Sequence, residues 1–216
     1  TVRVPAHLEL TETALAAGKA VLCEWPLGNG LAEALRMAAA AKADLPTYTQ
    51  AELDALLKWL DAAPMDKAIE CYLDLEADPR ADDFFLADLA REDLFFLMLR
   101  VLHRDDMAHP WLYERCREVE RDPDGYLDLW SREHYKSTII TFGLTVQDIL
   151  RDPEDTFGIF SHSRPIAKAF LRQIKREFET NELLKGLFPD VLYANPSKES
   201  PKWSEDDGIT VKRKGN

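Results

Sequence analysis

The sequence predicts an α/β fold, a parallel sheet flanked by helices and built around a phosphate-binding loop, preceded by an all-helical region. Three observations predict it. Tyr126 to Trp130 is a short apolar, aromatic-rich run after the turn signal Asp122-Pro-Asp-Gly125, as a strand should be. Lys136, Ser137 and Thr138 then stand in a loop directly before Ile139 to Leu150, where Ile140, Leu144 and Val146 to Leu150 recur at near-helical spacing up to Asp152-Pro153. Thr156 to Ser161 reads as a second, buried strand, and Pro165 opens a long helix in its first turn, where proline is tolerated. Strand, loop, helix, strand, helix is the crossover unit of parallel sheets.

The elements ahead of that unit read as helices. Candidates are Thr13 to Trp25, Leu31 to Ala43, Gln50 to Asp61, Lys67 to Glu76 and Phe84 to Leu102, separated by Pro26, Gly28, Gly30, Pro46, Pro64 and Pro79. Thr49 and Glu52 form a capping box for the third, whose Leu53, Leu56, Leu57 and Leu60 share one stripe. Residues 1–80 are therefore assigned to a helical N-terminal region and residues 81–216 to the nucleotide-binding core, with the boundary between Asp78 and Asp83. At the far end, Ile209-Thr-Val-Lys-Arg-Lys-Gly-Asn216 looks like a further strand entering a turn.

The loop carries the chemistry. A lysine reaches phosphate oxygens, a neighbouring hydroxyl holds Mg²⁺, and backbone N–H groups at a helix start hold the anion. Lys136, Ser137 and Thr138 supply the side chains. The full pattern G-x-x-x-x-G-K-[ST] would place glycines where Trp130 and Tyr135 stand.

Composition fits a globular chain. Of 216 residues 46% are hydrophobic, enough for a core. No uncharged apolar run of about 18 residues exists, and no basic-then-apolar leader opens the chain, so a cytoplasmic location without membrane contact is expected. Cys23, Cys71 and Cys116 are odd in number and far apart, as reduced core thiols are. The net charge of −12 is uneven: residues 1–100 have 9 basic and 18 acidic residues, 101–160 have 7 and 13, and 161–216 have 11 and 8. Only the last part is basic. Lys168, Arg172, Lys175 and Arg176 share one face of the helix after Pro165, which reads first as a solvated face and second as a surface for DNA or a subunit.

Ser131-Arg-Glu-His-Tyr-Lys-Ser-Thr138 resembles the deviant phosphate loop of the large terminase subunits of tailed bacteriophages, with Arg132 at the family's arginine position four residues before the lysine. Phe157-Gly-Ile-Phe-Ser-His-Ser163, Asp93-Leu-Phe-Phe-Leu-Met-Leu-Arg100 and His109-Pro-Trp-Leu-Tyr113 resemble flanking segments of that family, so the likeness spans Asp93 to Asn216. The resemblance implies a partial P-loop NTPase core. ATP and Mg²⁺ would be held by Arg132, Glu133, His134, Tyr135, Lys136, Ser137 and Thr138, with Lys136 and Arg132 catalytic and Ser137 on the metal. In the complete protein, hydrolysis would drive double-stranded DNA, with a portal protein, a small terminase subunit and further copies of the chain as partners. The family keeps glycine where Tyr135 stands, and it places an acidic strand, a coupling motif and a nuclease domain beyond the point where this chain stops. Thr1 in place of methionine extends the same expectation of a longer protein to the other end. The alternatives are an incomplete prophage remnant that binds nucleotide at most and a helical protein-interaction module.

Other residues have plainer readings. His103, His109, Cys116 and His134 match no zinc spacing, and His162 reads as a satisfied loop histidine before it reads as functional. Trp111 and Tyr113 suit core packing, with an adenine shelf as the alternative.

Overall fold

The computed structural model describes residues 7–16, 47–121 and 129–213. They fall into two compact units: residues 1–48 with 76–82, and residues 49–75 with 83–216. In the first, helix α1 runs His7–Ala16. Tyr48 donates its hydroxyl to Asp78 at 2.7 Å, and the Arg80 guanidinium sits 4.2 Å from the Tyr48 ring centre. The helix expected over Thr13 to Trp25 overlaps α1, its remainder lies outside the described residues, and so does Leu31 to Ala43.

The larger unit is helical. α2 (Gln50–Leu60) starts at Thr49, whose side chain and that of Glu52 cap each other's backbone, and its stripe buries Leu53 and Leu60 completely while Leu56 and Leu57 are half-buried. α3 (Met65–Ala77) begins in this unit, and α4 covers Asp83–Glu92. The single helix expected over Phe84 to Leu102 breaks at Asp93. Its side chain accepts the Phe96 N–H at 2.9 Å and caps a new start, α5 (Leu94–Phe96), which continues as a wide turn Leu97–Val101 with i→i+5 bonding. A 3₁₀ turn Asp105–Met107 leads to α6 (Pro110–Arg121). Another wide i→i+5 stretch, Ser137–Leu144, passes directly into α7 (Thr145–Arg151). α8 (Arg164–Thr180) has Pro165 in its first turn, α9 is Glu182–Leu187, and α10 is Pro196–Glu199.

The core lies where α4 meets α2, α7 and α9, and where α5 meets α6. Phe85, Leu89, Leu94 to Met98, Phe142, Val146, Phe178, Leu184 and Phe188 fill it. At Gly143 the Met98 sulfur comes so close that no Cβ fits between them without movement, which sets the approach of the two wide helical stretches.

Among the described residues the expected α/β sheet is not formed and helices predominate, which corrects the fold class. Among the described residues the strands are β1 (Trp203–Ser204) and β2 (Gly208–Ile209), an antiparallel hairpin whose turn places Gly208 at φ +97°. A strand needs a neighbour to bond its backbone, and among the described residues neither Leu129–Trp130 nor Thr156–Ser161 has one. Tyr126 to Asp128 lie outside the described residues with the turn Asp122 to Gly125, while Leu129 and Trp130 are irregular and Leu129 is exposed. Thr156 to Ser161 is irregular, unpaired and largely exposed, where a buried strand was expected. Of the expected strand from Ile209, only Gly208–Ile209 pairs, and Lys214 to Asn216 lie outside the described residues. The hairpin is tied to α8 instead: Arg164 and Lys168 pair with Asp206, Arg172 with Glu205 at 2.6 Å, and Trp203 donates its indole N–H to Glu179 at 2.7 Å.

Candidate functional site

Ser131 to Lys136 forms a tight loop that delivers the chain into the helix beginning at Ser137. Two of its residues take left-handed backbone, Glu133 at φ +64° and Tyr135 at φ +59°, a region that L side chains rarely occupy. His134 Nδ1 lies 2.7 Å from the Arg132 carbonyl, so that nitrogen is the protonated one and donates. The Tyr135 carbonyl accepts the Ile139 N–H at 2.8 Å and closes the first helical turn. The Tyr135 phenol lies near the Asp106 carboxylate, whose charge acts on it. Asp106 in turn holds Arg104 through bonds of 3.0 and 2.9 Å.

These contacts set the local charge. The Arg104 guanidinium, with the Tyr135 hydroxyl, lowers the Asp106 carboxyl below its ordinary range, and the Asp106 carboxylate raises the Tyr135 phenol. Arg104 and Asp106 neutralise one another. Lys136, Arg132 and Ser137 have no side-chain hydrogen bond or ion pair among the described residues. No side chain caps the helix start, and the N–H groups of Lys136, Ser137 and Thr138 have no acceptor there. The two left-handed residues stand directly ahead of these unsatisfied helix N–H groups, which are donors of the kind an anion can engage. Beside them Trp111 meets Trp130 edge-on at 5.5 Å and His134 at 5.7 Å, with Arg115 5.6 Å above its ring.

The other sequence candidates separate. Tyr113 is buried and donates its hydroxyl to the Leu60 and Ala63 carbonyls at 2.7 and 3.1 Å, a core role. His109 Nδ1 accepts the Trp111 N–H at 3.1 Å at the start of α6, His103 sits in left-handed backbone at φ +51°, and His162 is exposed in the loop before α8. Cys116 is buried in α6, where burial pushes its thiol up, and Cys71 is half-buried in α3. Among the described residues no three His, Cys, Asp or Glu side chains converge to hold a metal ion. On α8, Lys168, Arg172 and Lys175 are each paired with an acid, which neutralises most of the basic stripe and leaves Arg176 exposed.

Sequence reasoning missed two groups. Arg104 and Asp106 lie about thirty residues ahead of the loop that they steady, with no motif to mark them. The second is a buried polar network. Asp93 accepts from Tyr72 and Arg117 at 2.7 Å each, while Glu120 accepts from the Leu94 N–H and from Gln147 at 3.2 Å. Burial, reinforced by the charge of Asp93, pushes the Glu120 carboxyl up to about 7. Burial opposes the charge of Arg117, yet Asp93 more than offsets it and holds the guanidinium above its usual range. The one available signal was an acid, Asp93, set against the apolar run Leu94 to Leu99.

The chain matches no protein-family model, no curated protein and no solved structure. Among the described residues no helix is long and apolar enough to cross a membrane.

Proposed function

We propose that the loop from Ser131 to Thr138 binds the triphosphate of Mg·ATP, and that the chain is the nucleotide-binding part of a terminase-type DNA-packaging subunit. The observation that supports it most is the juxtaposition of an unpaired Lys136 with three unsatisfied helix N–H groups behind left-handed Glu133 and Tyr135. A triphosphate would satisfy all of them at once. In this reading Lys136 takes the phosphate charge, Arg132 contacts the terminal phosphate, and the Ser137 hydroxyl holds Mg²⁺, which would neutralise phosphate charge when bound. Glu133, His134 and Tyr135 shape the turn and Thr138 adds a backbone donor. Trp111, Trp130 and His134 offer an apolar edge for the base. The reading rests on the loop and on the resemblance of Ser131 to Thr138, and on no sheet. Double-stranded DNA, the portal and the small terminase subunit are partners of the complete protein in this proposal.

Calorimetric titration of Mg·ATP onto wild type and Lys136→Ala tests it. Binding by wild type that weakens at least tenfold in the variant supports the reading, a loss of about 1.4 kcal/mol. Equal affinities, or no binding by either, would overturn it. A helical protein-interaction module is the second reading, favoured by one observation: Phe160, 94% exposed on an irregular segment between two helices.

A further inference from the structure

A cleft of about 460 Å³ opens on the larger unit, walled by α8, by the hairpin β1–β2 with the chain that follows it, and by the loop after α7. That volume lies within the range of small-molecule pockets, roughly 300–1,000 Å³. Its floor is largely aliphatic. Ile174 and Val211 close the bottom, whereas Ile159, Ala167, Leu171 and Ile209 are only half-buried and leave apolar surface turned to the cleft. The way the hairpin docks explains this, since it meets α8 through ion pairs at the rim, Arg164 and Lys168 with Asp206 and Arg172 with Glu205.

Charge selects the occupant. Those pairs set three bases on two acids. Beyond them the lining has two bases, Lys202 and Arg213, with no side-chain partner among the described residues, and two acids, Asp155 and Asp207, the latter accepting the Ser204 hydroxyl at 3.1 Å. Five bases against four acids leave the cleft and its rim positive by one, in a chain of net −12. The two unpaired bases also share a wall. At the open end of the hairpin the Lys202 carbonyl accepts the Thr210 N–H at 2.9 Å, which sets Lys202 beside the stretch on which Ile209, Val211 and Arg213 all line the cleft. Apolar floor and unpaired base therefore adjoin, the layout that suits a ligand with an apolar body and one anionic end.

We propose that this cleft binds a free medium-chain aliphatic carboxylate, its chain over Leu171, Ile174, Ile209 and Val211 and its head group at Lys202 and Arg213. The cleft uses no residue of the loop from Ser131 to Thr138, so the proposal stands apart from the nucleotide reading.

Titration of decanoate onto the full chain, followed by amide chemical shifts, tests it, with decanol and acetate as the chain and the head group alone. Decanoate binds with a dissociation constant below about 1 mM, and the shifts concentrate at Leu171, Ile174, Ile209 and Val211. Decanol and acetate each bind at least tenfold more weakly. Replacing both bases, Lys202→Glu with Arg213→Glu, at exposed positions outside the core, weakens decanoate at least tenfold and leaves decanol unchanged. Lys136→Ala binds decanoate as wild type does. Cleft amides that do not shift at about 1 mM decanoate would overturn the proposal. So would decanol or acetate binding as tightly as decanoate, or an affinity that survives the loss of both bases.

Discussion

Tyr135 stands at φ +59°, where a residue with a Cβ costs roughly 1–2 kcal/mol. The phosphate-loop pattern asks for glycine at this position, and here a tyrosine adopts a backbone that glycine takes without strain. In the proposed reading, the departure at Tyr135 adds a side chain where the pattern has none. Two variants separate these effects: Tyr135→Gly should keep Mg·ATP affinity within about threefold, whereas Tyr135→Val, which is β-branched and excluded from this region, should lose at least tenfold, about 1.4 kcal/mol. A large gain in Tyr135→Gly would show instead that the tyrosine ring obstructs the site. The place of Lys136 and Ser137 at a helix start was legible in the sequence because they directly precede a helical period. Arg104 and Asp106 were not, because only folding brings the 3₁₀ turn against the loop.

At the scale of elements, the break at Asp93 organises the helical unit. Periodicity alone runs one helix from Phe84 to Leu102, since the apolar spacing hardly changes across the break. What ends it is a buried carboxylate that caps Phe96 and binds Tyr72 and Arg117, joining three helices. Asp93→Ala should cost about 3–5 kcal/mol in chemical denaturation, because it removes the cap and takes from buried Arg117 its closer carboxylate, leaving Glu120 at 3.3 Å. A loss below about 1 kcal/mol would mean that the network is incidental. Gly143→Ala should cost roughly 1–3 kcal/mol by forcing a Cβ against Met98. The capping box at Thr49, the helix from Ser137 and the Pro165 start were readable from local signals. The strands were not, because an apolar run such as Thr156 to Ser161 states a preference for extended backbone and says nothing of whether a neighbour exists to pair with it.

At the scale of the whole molecule, stability should depend on pH through Glu120. Its carboxyl is held up to about 7 when folded, above the ordinary value that it regains on unfolding, so the folded state binds this proton more tightly. Its contribution is complete below about pH 4 and is lost as pH rises through about 7, on the order of 3 kcal/mol. Denaturation midpoints should fall between pH 5 and 8, and Glu120→Gln should flatten that slope; a slope unchanged in the variant would contradict the assignment. The central claim concerns the loop, and amide hydrogen exchange with and without Mg·ATP tests it most directly. The account predicts slowed exchange concentrated at the amides of Lys136, Ser137 and Thr138, absent in Lys136→Ala. Exchange unchanged at those amides under saturating Mg·ATP would contradict it.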